Sequence, residues 1–131
     1  MRNTTAKADE VANLLADGKV GLNFLGDDLF RYLGHAGDNA VYNPISRQIY
    51  LRRSDANLFS TIVHEGTHGL EHANGISQTL FGLELRAHAF QRQFELFKTG
   101  TSKYPTLQSA RERIIRDYNS PNLHQIYVWP Q

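Results

Sequence analysis

Apolar and polar positions separate clearly along residues 58–73. With His64 set to zero and about 100° per residue, the apolar side chains fall between roughly 120° and 260° and the ionisable ones between roughly 340° and 100°. The apolar set is Leu58, Phe59, Ile62, Val63, Leu70 and Ala73, and the ionisable set is His64, Glu65, His68, Glu71 and His72. This segregation predicts an amphipathic helix. Ser54 or Asp55 is its predicted N-cap, and Gly75 is predicted to end it in a left-handed conformation.

The same reading predicts helices and strands on both sides of this segment. A helix is expected from Thr4 or Thr5 to Gly18, a strand through Val20, Leu22 and Phe24, and a short helical turn over 27–33. Residues 40–42 and 48–51 are predicted to form a β-hairpin around a five-residue connection.

Further helices are predicted from about Ser77 to Lys98, ending at Gly100, and from Thr106 to Tyr118. The tail, 119–131, contains Tyr127 and Trp129 and is too apolar to remain free, so it is expected to dock on the body. The predicted fold class is α+β, with a small sheet or hairpin packed on the helix of residues 58–73.

Composition narrows the function classes. The chain has 131 residues, enough for one domain over 1–131 with its own core. Its net charge of +1 gives no reason to expect nucleic acid, and the series Arg111, Arg113 and Arg116 is interpreted as a solvated helix face. No apolar run approaches the ~20 residues of a membrane span, and no signal-peptide core is present, so export would depend on something outside this chain. With no cysteine, any metal must be bound by histidines and carboxylates.

His64-Glu65-Gly66-Thr67-His68 is an H-E-x-x-H sequence on the polar face of the predicted helix. Imidazoles four residues apart lie on one face and can share a metal ion. Glu65 lies beside that ion and can act on a bound water. The alternative is a solvated polar face without a metal.

A catalytic zinc needs a third protein ligand and an open position for water. Glu84, His72 and His88 compete for this role. His72 lies ~12 Å along the helix axis from His64, too far to share its ion, and is expected to be solvated. Glu84 lies on the next helix, in a polar row beside the small residue Ala87, and is therefore the predicted third ligand. The alternative for Glu84 is an ordinary exposed glutamate.

These residues carry a family resemblance. His64-Glu65-x-x-His68 followed by Glu84-Leu85-Arg86-Ala87 resembles the gluzincin-type H-E-x-x-H metallopeptidases, whose third ligand is a glutamate on a downstream helix. The run from Glu84 to Phe90 is also similar to the ImmA/IrrE-like branch, and the likeness covers roughly residues 38–97. Many larger gluzincins place an aspartate soon after the ligand glutamate to orient a zinc-binding histidine. Here no acidic residue follows Glu84 until Glu95, so the residue that would orient a zinc-binding histidine is unassigned.

The resemblance implies a zinc-dependent endopeptidase of minimal zincin fold, with Zn²⁺ held by His64, His68 and Glu84 and with Glu65 as general base. Its substrate would be a protein or peptide, which could add to an edge of the strand over 48–51. The donor that stabilises the oxyanion stays open among Arg86, His88, Tyr104, Tyr118 and Tyr127.

Small zincin domains of this kind also resemble toxin modules at the C-termini of bacterial polymorphic toxins of the Rhs and VgrG types. That resemblance implies secretion or delivery into a target cell as part of a larger protein, with a cognate immunity protein as partner. The alternatives are an ImmA/IrrE-like regulatory protease and a non-catalytic binding module stabilised by zinc. Glu65 distinguishes the proteases from the non-catalytic binding module, because a purely structural zinc site does not need a carboxylate at this position.

Overall fold

The predicted α+β class is confirmed. The computed structural model describes residues 5–32, 40–53, 57–118 and 121–130, so the predicted N-caps Ser54 and Asp55 lie outside the described residues. The elements in chain order are α1 (Ala6–Ala16), β1 (Gly21–Leu25), α2 (Asp27–Tyr32), β2 (Ala40–Asn43), β3 (Gln48–Arg52), α3 (Leu58–Ala73), α4 (Leu80–Thr99) and α5 (Leu107–Asp117). Among these described residues, no helix combines the length and apolar character needed to cross a bilayer.

The three strands form one mixed sheet in the order β1-β3-β2. β2 and β3 are the predicted antiparallel hairpin, and β1 pairs with β3 in parallel, with Gly21 opposite Gln48. Strand β3 is therefore central, and Ile49 and Leu51 on it are fully buried. The prediction that 48–51 offers an edge to a peptide is wrong, because both of its sides are already paired. Within the described sheet, β2 is the edge strand on the side of the histidines.

The apolar face of α3 packs where its pattern predicted. Leu58, Ile62 and Leu70 lie against the core cluster of Leu14, Val20, Tyr42, Ile49 and Leu51. Phe59 in the first turn and Ala73 in the last are exceptions, because both are exposed, Phe59 with 71% of its surface. The helix ends at Ala73, and Gly75 follows with φ 63°, the left-handed conformation expected of it.

Helix α1 crosses α3 at two glycines that lie within this apolar face. A Cβ atom on Gly66 would overlap the side chain of Val11, and one on Gly69 would lie 3.4 Å from Cδ2 of Leu14. The backbones can approach so closely because neither position carries a side chain. α1 thus packs against the face of α3 that is opposite the histidines.

Helix α4 covers the other face of α3. Its N-cap is Thr79, whose hydroxyl accepts from the Gly82 amide, so the helix begins three residues later than predicted from Ser77. It ends at Gly100 with φ 76°, as predicted. Ala87 is fully buried, and the polar row beside it (Glu84, His88 and Gln91) is buried as well. This polar row faces the ionisable side of α3.

The C-terminal tail docks on the body, which confirms the prediction. The Tyr127 amide donates to the Gln78 carbonyl at 2.8 Å, and Trp129 Nε1 donates to the Ile76 carbonyl at 3.1 Å. Both acceptors lie in the connection between α3 and α4. The tail therefore holds the turn that sets how these two helices meet.

Gly66→Ala should destabilise the fold, because the added methyl group meets Val11 in a close helix contact. The expected loss is about 1–3 kcal/mol in the free energy of unfolding, measured by urea denaturation. Gly26→Ala is the matched control, since a Cβ there meets no atom within 4 Å. Combining Gly66→Ala with Val11→Ala should cost less than the sum of the two single changes. A Gly66→Ala protein as stable as wild type would contradict the packing described for α1.

Candidate metal centre

The two histidines of the H-E-x-x-H sequence lie on adjacent turns of α3, with their rings edge-on to each other. Their ring centroids lie 5.2 Å apart, and both side chains are largely buried. Glu84 reaches them from α4, with Oε1 3.0 Å from His68 Nε2 and Oε2 3.3 Å from His64 Nε2. One ligand atom from each of the three residues lies within 4.8 Å of the others. This group is close enough to bind one metal ion.

The arrangement of α3 and α4 explains why Glu84 lies close to the two histidines. Contacts between α3 and α4 pair His68 with Glu84 and His64 with Gln91, the order expected of antiparallel helices. The return through Gly75 therefore brings Glu84 opposite the two histidines, as the sequence predicted. His72 and His88 do not join the group.

The donor set fits a divalent cation such as zinc. Two imidazole nitrogens and one carboxylate oxygen are the ligand types of a catalytic zinc site. Glu84 Oε2 is buried and has no assigned hydrogen-bond partner among the described residues, although His64 Nε2 lies 3.3 Å from it. A buried carboxylate oxygen without a partner costs free energy. A cation between the three residues would remove that cost.

Without a metal, the cluster is a buried ion pair. Burial lowers the pKa of His68, but the Glu84 carboxylate outweighs burial and raises that pKa to about 9. Burial raises the pKa of Glu84, and the opposing charge of His68 holds it well below its usual range. A metal ion and the His68 proton would compete for the same nitrogen, so metal uptake releases a proton.

Glu65 lies beside this group. Its Oε1 is 3.9 Å from His64 Nε2, and its side chain keeps partial access to solvent. The carboxylate lines the cleft into which the three candidate ligands open. This is the position predicted for a group that acts on a bound water.

The cleft has a volume of about 490 Å³, within the range of ligand sites. One wall is the edge strand β2, through Ala40, Val41 and Tyr42. The opposite wall comes from α5 and the segment before it, through Lys103, Tyr104, Arg113, Asp117 and Tyr118. Arg113 was expected on a solvated face. It is half exposed, yet it lines the cleft and donates to Asp117 at 2.7 Å.

The structure divides the candidate oxyanion donors into those that line the cleft and those that do not. Arg86 Nε donates to Glu71 at 2.9 Å, and Tyr127 packs edge-on against Trp129; neither is among the described residues that line the cleft. His88, Tyr104 and Tyr118 do line it.

His88 is a poor donor, for an electrostatic reason. Burial, followed by the charge of His64, lowers the pKa of His88 to about 4, so its ring is neutral at pH 7. Its Nδ1–H donates to the Glu84 carbonyl at 2.7 Å, which leaves a lone pair and no proton on Nε2. Of the donors considered from the sequence, Tyr104 and Tyr118 therefore remain.

The prediction that His72 is solvated is wrong. Only 6% of its surface is exposed. Its Nε2–H donates to the Pro130 carbonyl at 3.3 Å, and its Nδ1 accepts from the Tyr42 hydroxyl at 2.8 Å. Its ring stacks on Trp129 with centroids 4.7 Å apart. His72 is thus a structural link to the docked tail, and burial lowers its pKa.

The sequence left open which residue would orient a zinc-binding histidine, and the structure supplies one for His64. Gln91 Oε1 lies 2.9 Å from His64 Nδ1. The sequence does contain a signal for this contact, because Gln91 follows Glu84 by seven residues and so shares its helix face.

Comparisons of the chain with protein-family models, with curated proteins and with solved structures found no match.

Glu84→Ala should weaken zinc binding severely, whereas His72→Ala should leave it nearly intact. Loss of a ligand should exceed the ~10–100-fold cost typical of losing an outer partner. His72→Ala should instead lower the free energy of unfolding by about 1–3 kcal/mol, because the Tyr42 hydroxyl loses its buried partner. Calorimetric zinc titration and urea denaturation of both proteins measure the two effects. Full zinc affinity in Glu84→Ala would show that another residue completes the site.

Proposed function

We propose that this chain is a zinc-dependent endopeptidase. The observation that carries the proposal is the placement of the Glu65 carboxylate in an open cleft, directly beside His64, His68 and Glu84. Three protein ligands with an open side are the arrangement of a catalytic zinc site, whereas a structural site is usually closed by a fourth protein ligand. The likeness to gluzincin-type metallopeptidases supports the same assignment.

The chemistry follows from these residues. Zinc held by the three ligands would supply a Lewis acid and lower the pKa of a bound water toward ~7. The Glu65 carboxylate would accept a proton from the attacking water as the water oxygen bonds to the peptide carbonyl carbon. Glu65 would then return the proton to the amine nitrogen as the C–N bond breaks, so no net proton is consumed at the carboxylate.

The two walls of the cleft suit an extended peptide. β2 is an edge strand whose outer side is not paired within the described sheet, so a substrate can add to it through main-chain hydrogen bonds. We propose that the backbone of residues 40–42 lies along the substrate, in the role predicted for 48–51. Tyr104 and Tyr118 on the opposite wall are the proposed donors to the developing oxyanion.

We further propose that the chain is a delivered antibacterial effector, with a cognate immunity protein as partner. The support is its resemblance to the small metallopeptidase modules of Rhs- and VgrG-type toxins. An effector of this kind is secreted or carried into its target cell as part of a larger protein.

Glu65→Gln should abolish hydrolysis while keeping the fold and the metal. The glutamine has nearly the same shape but cannot accept the water's proton, so a loss of at least ~10²–10⁴-fold is expected. Cleavage of a panel of denatured proteins and fluorogenic peptides is the assay, with bound zinc measured in parallel. Glu112→Gln, an exposed change on α5, is the matched control. Wild-type cleavage by a zinc-loaded Glu65→Gln protein would remove Glu65 from the mechanism. Zinc binding without cleavage by the wild-type protein would favour the non-catalytic module.

Expression in a bacterial host should slow growth when the chain is directed to the cytoplasm, to the periplasm, or to both. Glu65→Gln should relieve the effect, because toxicity is proposed to depend on hydrolysis. Growth curves with matched protein levels measure the difference. Unimpaired growth in both compartments, with active enzyme recovered from the cells, would argue against the effector role and leave a regulatory protease as the alternative.

A further inference from the structure

A chain of hydrogen bonds leads from His64 away from the metal centre along α4. His64 Nδ1 lies 2.9 Å from Gln91 Oε1, and Gln91 Nε2 donates to Glu95 Oε2 at 3.2 Å. The Ser102 hydroxyl donates to the other Glu95 oxygen at 2.6 Å. We call His64, Gln91 and Glu95 the Gln91 relay.

The donor and acceptor roles in the Gln91 relay follow from its far end. A carboxylate oxygen can only accept, so Gln91 must turn its NH₂ group toward Glu95. Its carbonyl oxygen then faces His64, and that oxygen can only accept as well. Nδ1 of His64 must therefore carry a proton, whether the ring is neutral or charged. In the neutral ring this leaves the lone pair on Nε2, the nitrogen that faces Glu84.

We infer that Gln91 and Glu95 are positioning residues for the metal centre. They fix the orientation of the His64 ring and place its metal-binding lone pair on Nε2. If the amide of Gln91 turned over, its NH₂ group would favour a lone pair on Nδ1 and a proton on Nε2, where the proton competes with the metal. The inference rests on the proposed metal centre. It assigns to a glutamine the orienting task that larger gluzincins give to an aspartate at another position.

The setting of Gln91 supports this role. Only 3% of its surface is exposed, so an amide there is costly unless both of its ends are hydrogen-bonded, as they are. The His88 ring meets the His64 ring at a centroid distance of 4.6 Å and so limits its movement in the remaining direction. Glu84, His88, Gln91 and Glu95 follow one another at helical spacing, so the single helix α4 carries the third candidate ligand together with Gln91 and Glu95.

Glu95 contacts Ser102 as well as Gln91, and the effects of these two contacts must be distinguished. Through Ser102, whose oxygen accepts from the Tyr104 amide at 3.1 Å, it also ties the segment after α4. Ser102→Ala breaks this tie and leaves the contact between Gln91 and Glu95 intact. If the Gln91 relay acts through His64, Ser102→Ala should bind zinc as wild type does.

The test compares Gln91→Leu with Gln93→Leu, an exposed change on the same helix. Gln91→Leu keeps an apolar side chain of similar size but offers His64 no acceptor. Zinc affinity should fall by ~10–100-fold, the usual cost of losing an outer partner of a ligand. In NMR spectra, the His64 Nδ1–H resonance should be protected from exchange in wild type and unprotected in Gln91→Leu. Gln93→Leu should match wild type in both measurements.

The double change Gln91→Glu with Glu95→Gln provides the rescue. The carboxylate at position 91 can accept from His64 and from the amide at position 95, so the donor order of the relay is restored. Zinc affinity and the protected ring N–H should both return.

Two results would overturn the inference: wild-type zinc affinity in Gln91→Leu, or a folded double variant that regains neither property. If the wild-type protein bound no zinc, the proposed metal centre would fail. The ring N–H of metal-free protein would still decide whether the relay exists.

Discussion

A buried carboxylate set between two imidazoles determines how α3 and α4 meet. Glu84 lies within 3.0 to 3.3 Å of His68 and His64, and all three side chains are largely removed from solvent. Charges in such a place are costly unless each has a partner, and removing one partner of a buried pair typically costs ~3–5 kcal/mol. Ala87, three residues after Glu84 on α4, is fully buried and adds little bulk there. The candidate metal centre is thus also the polar core of the helix pair.

The remaining elements restrain this contact from three sides. α1 presses on α3 at Gly66, the central strand β3 supports its apolar face, and the tail closes the turn between α3 and α4 through Trp129. None of these contacts touches the three candidate ligands. Each limits how far one helix can shift against the other, and a metal site tolerates only small displacements of its ligands.

The sequence predicted what depends on local periodicity. The pattern over 58–73 identified α3 and its polar face, and the position of Glu84 beside Ala87 pointed to the residue that now lies between the histidines. Gly100 marked the end of α4. These features need only the 3.6-residue repeat and the chemistry of single residues.

What the sequence did not predict depends on contacts between distant segments. The parallel pairing of β1 with β3 made 48–51 central, and no local pattern specifies strand order. His72 is buried because a tail more than fifty residues later in the chain covers it. Gln91 lies on the polar side of α4, and its partner became evident only once α4 was seen to lie against His64.

His64, His68 and Glu84 are proposed to hold one zinc ion with a side open to water. X-ray absorption spectroscopy of untagged protein loaded with one equivalent of zinc is the decisive test. The expected spectrum has two imidazole nitrogens at ~2.0–2.1 Å, with the remaining ligands all oxygen at ~2.0–2.2 Å, and one fewer imidazole in His68→Ala. A spectrum with three or more imidazoles, or one unchanged in His68→Ala, would contradict it.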